Sequence, residues 1–81
     1  MALVVLAGDL KSYAGGQSQM EIEAANIHQL IVALGERFPA LKPFLETGLT
    51  VAIDGEVYRD AWFQPIPDKS EVHLLSAMAG G

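Results

Sequence analysis

The chain contains no cysteine, which excludes disulfide staples, thiolate nucleophiles and cysteine-ligated zinc or iron–sulfur sites in one step. Basic charge is scarce as well. Five Lys and Arg stand against ten Asp and Glu, a formal net charge of −5, so binding to a phosphate backbone through a basic face is disfavoured and no nucleic-acid partner is expected. Long apolar runs are also missing. The longest, Met1 to Gly8, falls far short of the roughly 20 residues that span a bilayer, and no Lys or Arg precedes it as a signal peptide requires. The expectation is a cytoplasmic protein, unprocessed at its start and without membrane contact. At 81 residues the chain has about half the roughly 150 that serve as a prior for one domain, which leaves no room for separate cofactor and substrate domains. What is present is a globular balance, 51% hydrophobic and 19% charged, and this predicts a folded domain.

Leu3-Val4-Val5-Leu6-Ala7 is a nearly continuous β-branched run closed by Gly8-Asp9, the pattern of a strand buried on both faces. Met20, Ile22 and Ala24 alternate with Gln19, Glu21 and Glu23, which predicts a second strand with one face in water. Tyr13 to Gln17, with Gly15-Gly16, reads as a long hairpin loop between the two. From Asn26 the period changes. Ile27, Leu30, Ile31, Leu34 and Phe38 form one helical stripe, Asn26 and Gln29 make a capping-box pattern at its start, and Pro39 stops it near Arg37 or Phe38. A short extra turn around Leu41, Phe44 and Leu45 is expected before Gly48. Leu49, Val51 and Ile53 then alternate with polar or small residues up to Asp54-Gly55, a strong two-residue hairpin signal ahead of Glu56-Val57-Tyr58. Arg59 to Ser70 reads as a connection anchored by Trp62 and Ile66, and Glu71 to Ser76 as the last strand.

The order strand, strand, helix, strand, short strand, strand is most simply satisfied by a mixed sheet with one main helix on one face. With the first and last strands parallel at the centre, this is an α+β fold, the β-grasp or ubiquitin-like roll. The expected organisation is a domain over residues 1–76 and a flexible tail over 77–81. A fold of this kind hosts many functions and decides none of them.

The chemistry-bearing feature is the ending Gly80-Gly81. With glycine at about 7% of residues, two in those places arise by chance in about 0.5% of chains. A terminal α-carboxyl has a pKa near 3.5, so at neutral pH it is a carboxylate and a poor electrophile. Activation by ATP to an acyl-adenylate makes it reactive. An enzyme performing that step must thread the tail into a narrow, water-poor site, and residues without a Cβ allow the closest backbone approach.

The helix end Leu34-Gly35-Glu36-Arg37-Phe38-Pro39-Ala40-Leu41, the hairpin Val51-Ala52-Ile53-Asp54-Gly55-Glu56 and the ending Glu71 to Gly81 together resemble the ubiquitin-like sulfur carriers. These include the molybdopterin synthase small subunit and the thiamine-pathway carrier. The resemblance runs over essentially the whole chain, and its specific motif is the diglycine. It implies a carrier without an active site of its own and without a bound cofactor. ATP is used by a ubiquitin-activating-type adenylating partner; Gly81 becomes an acyl-AMP and then, through a sulfur donor, a thiocarboxylate. Gly80 permits entry into the partner site. A large synthase subunit is a further partner the resemblance allows. Ser76-Ala77 stands where molybdopterin synthase small subunits commonly carry prolines, and Ala40 to Gly48 is largely lacking from thiamine-pathway carriers. The pathway, with cysteine biosynthesis among the choices, therefore stays open, as do a protein modifier joined through Gly81 and an adaptor without C-terminal chemistry.

Other residues support blander readings. His28 and His73 have no third ligand at metal spacing, so no metal site is expected. Trp62 and Phe63 are adjacent, so at most one points inward. Phe63, Leu75 and Met78 are the candidates for a partner surface, and the acidic balance favours a partner with a basic face.

Overall fold

Val4, Val72 and Leu74 are fully buried because the strands that carry them run through the middle of a five-stranded sheet. The computed structural model describes residues 1–46, 50–59 and 61–75. The sheet order is β2-β1-β5-β3-β4, with β1 Ala2–Leu6, β2 Gln19–Ile22, β3 Thr50–Ile53, β4 Glu56–Arg59 and β5 Glu71–Leu75. β1 and β5 are parallel and every other neighbouring pair is antiparallel. One long helix, α2 (Ile27–Arg37), lies between β2 and β3 in the chain and packs on one sheet face, with Ile27, Leu30 and Leu34 joining the single core. This is the mixed-sheet β-grasp architecture that the periodicities predict. Among the described residues no helix is long and apolar enough to cross a membrane.

The start of α2 is well satisfied. Gln29 N–H donates to Asn26 Oδ1 at 2.8 Å, and Gln29 Oε1 accepts from Ala25 N–H at 2.9 Å. The reciprocal arm of the capping box thus reaches one residue further back than the usual pattern. Ile27 and His28 donate to the carbonyls of Gln64 and Trp62, so the β4–β5 connection supplies acceptors that first-turn amides otherwise lack. Ile66, 6% exposed, anchors that connection in the core.

Two sequence expectations are corrected. The run from Leu3 to Ala7 is not buried on both faces: Ala2, Val4 and Leu6 are enclosed, whereas Leu3 and Val5 are only half-buried. One helix covers one face, and β-branched composition cannot report which faces receive cover. The connection between β1 and β2 is not a plain loop either. It holds a one-turn helix, α1 (Gly8–Lys11), and a 3₁₀ turn at Ser12–Ala14. Leu10 and Ala14 are both 0% exposed, and this i,i+4 pair closes one edge of the core before Gly15 and Gly16 take positive φ. The extra turn after Pro39 is present as a 3₁₀ turn at Pro39–Leu41 followed by α3 (Lys42–Leu45). Leu49, Ser76 and the expected tail over 77–81 lie outside the described residues.

The Asp54-Gly55 hairpin has φ of 48° and 90° at its two central residues, the geometry of a type I′ turn. Asp54 also pins the turn to the central strand, since its Oδ1 accepts from Glu71 N–H at 2.8 Å and its N–H donates to Glu71 O at 2.9 Å. Asp54→Ala removes the side-chain acceptor and places a Cβ-bearing residue of low left-handed preference at positive φ. The expected cost is about 1–2 kcal/mol, read as a lower urea midpoint with unchanged m; Asp54→Asn should retain most of the stability. A second expectation concerns Ser70, 3% exposed, whose Oγ finds no hydrogen-bond partner among the described residues. Removing an unsatisfied buried hydroxyl relieves its desolvation cost. Ser70→Ala should therefore raise stability by about 1 kcal/mol, a melting shift of about 4–8 °C in a domain of this size.

Candidate functional site

β5 is the described element that precedes Gly80 and Gly81 in the sequence. It is paired on both sides: Leu74 lies beside Leu6 of β1 and Val51 of β3, and Leu75 beside Thr50. Ala7 N–H donates to Leu74 O at 3.0 Å, extending the ladder to the end of the strand. The last described residues therefore lie on a central strand with both edges occupied, the most constrained place in a sheet.

Because side chains alternate along a strand, burying Val72 and Leu74 sends Glu71, His73 and Leu75 to the face that α2 does not cover. Leu75 is 43% exposed. Register places Val5 beside His73, Gln19 beside Val5, Ala52 across from His73 and Val57 across from Ala52. The result is a row Gln19, Val5, His73, Ala52, Val57 across the sheet, with three apolar members and its middle residue, His73, one pleat from Leu75. His73 Nε2–H and Glu71 Oε1 form a hydrogen bond at 2.5 Å, and a shallow depression of about 650 Å³ is lined by Ala52, Asp54, Gly55, Glu71, His73 and Leu75.

The groups with shifted pKa lie elsewhere. The Met1 ammonium pairs with Asp68; its hydrogen bond to that carboxylate raises the amine, and the same bond lowers Asp68. Lys69 N–H bonds to Met1 O, which puts the pair at the Glu71 end of β5, away from Leu75. Tyr58 is raised because Glu56 accepts its phenolic hydrogen at 2.7 Å. Among the described residues no group of three His, Asp or Glu side chains is arranged to hold a metal.

Of the sequence-derived partner residues, the two that are described, Phe63 and Leu75, lie on different layers. Phe63 is 81% exposed while its neighbour Trp62 is half-buried, the split that adjacency predicts. Their segment is bonded to the first turn of α2, however, so Phe63 belongs to the helix layer and Leu75 to the opposite face. Met78, Gly80 and Gly81 lie outside the described residues. Sequence reasoning missed Val5, Ala52 and Val57 as a surface. The available signal was the alternation of β5 itself, which puts His73 and Leu75 on one face and, through pairing, recruits their neighbours.

A family model described as the ThiS family matches residues 4–81. No curated protein matches the chain. Among solved structures, a chain of the BexX/CysO complex from Amycolatopsis orientalis is similar at 20% identity and a TM-score of 0.82, over 100% of both chains. CysO from Mycobacterium tuberculosis is similar at 16% identity and a TM-score of 0.79, covering 95% of this chain and 99% of that one. The small archaeal modifier protein 1 from Methanosarcina acetivorans is similar at 18% identity and a TM-score of 0.80, covering 99% of this chain and 95% of that one. At these identities the likeness to solved structures is a likeness of fold.

Proposed function

The chain belongs to the ThiS family, and on that premise we propose that it is a sulfur carrier whose Gly81 carboxylate is adenylated and converted to a thiocarboxylate. The observation that carries this reading is the family match, which extends through Gly80 and Gly81. In the first step a Gly81 carboxylate oxygen attacks the α-phosphorus of ATP within an adenylating enzyme, and pyrophosphate leaves. A sulfide-level donor then attacks the acyl carbon; the C–S bond forms, the C–O bond to AMP breaks, and AMP departs. The product sulfur is the nucleophile delivered to a metabolite. The globular body binds and orients: the firmly paired β5 presents the tail, and the face around Val5, Ala52, His73 and Leu75 meets the partner. Gly80, lacking a Cβ, allows the backbone to enter a narrow site. No bound cofactor is needed by the carrier itself. A large synthase subunit is the corresponding partner if the acceptor is a molybdopterin precursor; thiazole and cysteine synthesis are the other destinations.

The likeness to small archaeal modifier protein 1 favours a second reading, conjugation of Gly81 to lysines of other proteins. Intact-mass measurement after incubation with an adenylating enzyme of the ubiquitin-activating type, ATP and sulfide separates the two. A gain equal to the difference between sulfur and oxygen supports the carrier. Lysine-linked adducts support the modifier, and an unchanged mass contradicts both.

A further inference from the structure

On the helix layer, away from Leu75, a groove of about 560 Å³ runs between α2, α3 and the β4–β5 connection. Its floor is Ile31, Val32, Leu45 and Trp62. Gly35 lets α3 approach closely here: a Cβ at that position would lie 3.3 Å from Lys42 Cγ and 3.7 Å from Leu45 Cδ1, so the Lys42 stem forms part of the apolar wall. Val32 is 46% exposed. The rim carries the carboxylates of Glu36 and Glu46, neither in an ion pair among the described residues, against the single ammonium of Lys42.

We infer that this groove is a second docking site, for a partner protein segment that inserts an apolar side chain over Val32 and Trp62 and sets Lys or Arg against Glu36 and Glu46. Charge complementarity selects that occupant: among the described residues the rim sets two carboxylates against one ammonium, and the chain carries −5 overall. An acidic segment would meet repulsion, and an uncharged one would leave the rim's excess of carboxylate over the Lys42 ammonium uncompensated at the edge of an apolar contact. The inference rests on the carrier reading only in its use, since a site on the helix layer lets one protein hold the carrier while the opposite face and Gly81 engage another.

The test is selection of a random 12-residue phage-displayed peptide library against the full chain, followed by ¹H–¹⁵N chemical-shift mapping with the selected synthetic peptides. The expected peptides combine an aromatic or aliphatic anchor with Lys or Arg and shift the amides of Val32, Gly35, Glu36 and Trp62. Val32→Glu, and separately the Glu36→Lys/Glu46→Lys pair, should each weaken binding at least about tenfold; all three changes are at exposed positions. Failure to select a binder, acidic or uncharged peptides, shifts centred on Val5 and Ala52, or binding unaffected by those variants would each overturn the inference. Val32→Glu should leave sulfur loading of Gly81 unchanged, so this result and the carrier reading succeed or fail separately.

Discussion

Leu30→Ala is expected to destabilise the fold by about 2–5 kcal/mol, the range for emptying a fully enclosed leucine site. Leu30 is 0% exposed and belongs to the same core as Val4, Leu34 and Leu74. At roughly 0.05–0.15 kcal/mol per residue a chain of this length has only about 4–12 kcal/mol of net stability, so the variant loses a large share of it. Its melting midpoint should fall by at least about 8 °C. Val32→Ala, two positions further along the same helix but exposed, should stay within about 0.5 kcal/mol of the parent. Equal effects at the two positions would mean that the buried stripe of α2 has been assigned to the wrong side.

The second large effect concerns chemistry and leaves stability aside. Deleting Gly81 is expected to abolish adenylation and sulfur loading, because the shortened chain ends one residue early and presents the wrong carboxylate in the partner's site. The melting midpoint should move by less than the roughly 4 °C that 1 kcal/mol produces in a domain of this size, since Ala77 to Gly81 has no apolar pattern that would hold it against a core. A drop of many degrees would assign Gly81 a structural role. Retained loading would remove it from the chemistry.

Much of the fold was legible because several independent signals agreed. The α2 stripe, its Asn26 cap and its Pro39 stop all marked the same element, and Asp54-Gly55 fixed a hairpin whose register follows from the turn. What the sequence concealed was burial that depends on tertiary cover. Leu3 and Val5 read as core because β-branched residues suit either face, and only the presence of one helix layer exposes them. Leu10 and Ala14 were hidden by the neighbouring glycines, which signal a loop so strongly that a two-residue apolar pair goes unnoticed. The candidate site divides in the same way. Gly80 and Gly81 are visible as letters because their chemistry depends on chain position and the lack of a Cβ, whereas the surface around Val5, Ala52 and His73 exists only after strand pairing. Phe63 attracted notice for its composition, and the backbone bonds from α2 to Trp62 and Gln64 placed it on the other layer.

The central claim is that sulfur is carried on the Gly81 carbonyl carbon. Tandem mass spectrometry of the tryptic peptide spanning residues 70–81, released after Lys69 from the loaded chain, tests it most directly. The account predicts one oxygen replaced by sulfur, retained in every fragment that contains Gly81 and absent from fragments that end before it. The oxygen-to-sulfur exchange located on any other residue, or a peptide of unaltered mass from a chain incubated with active adenylating enzyme, ATP and sulfide, would contradict it.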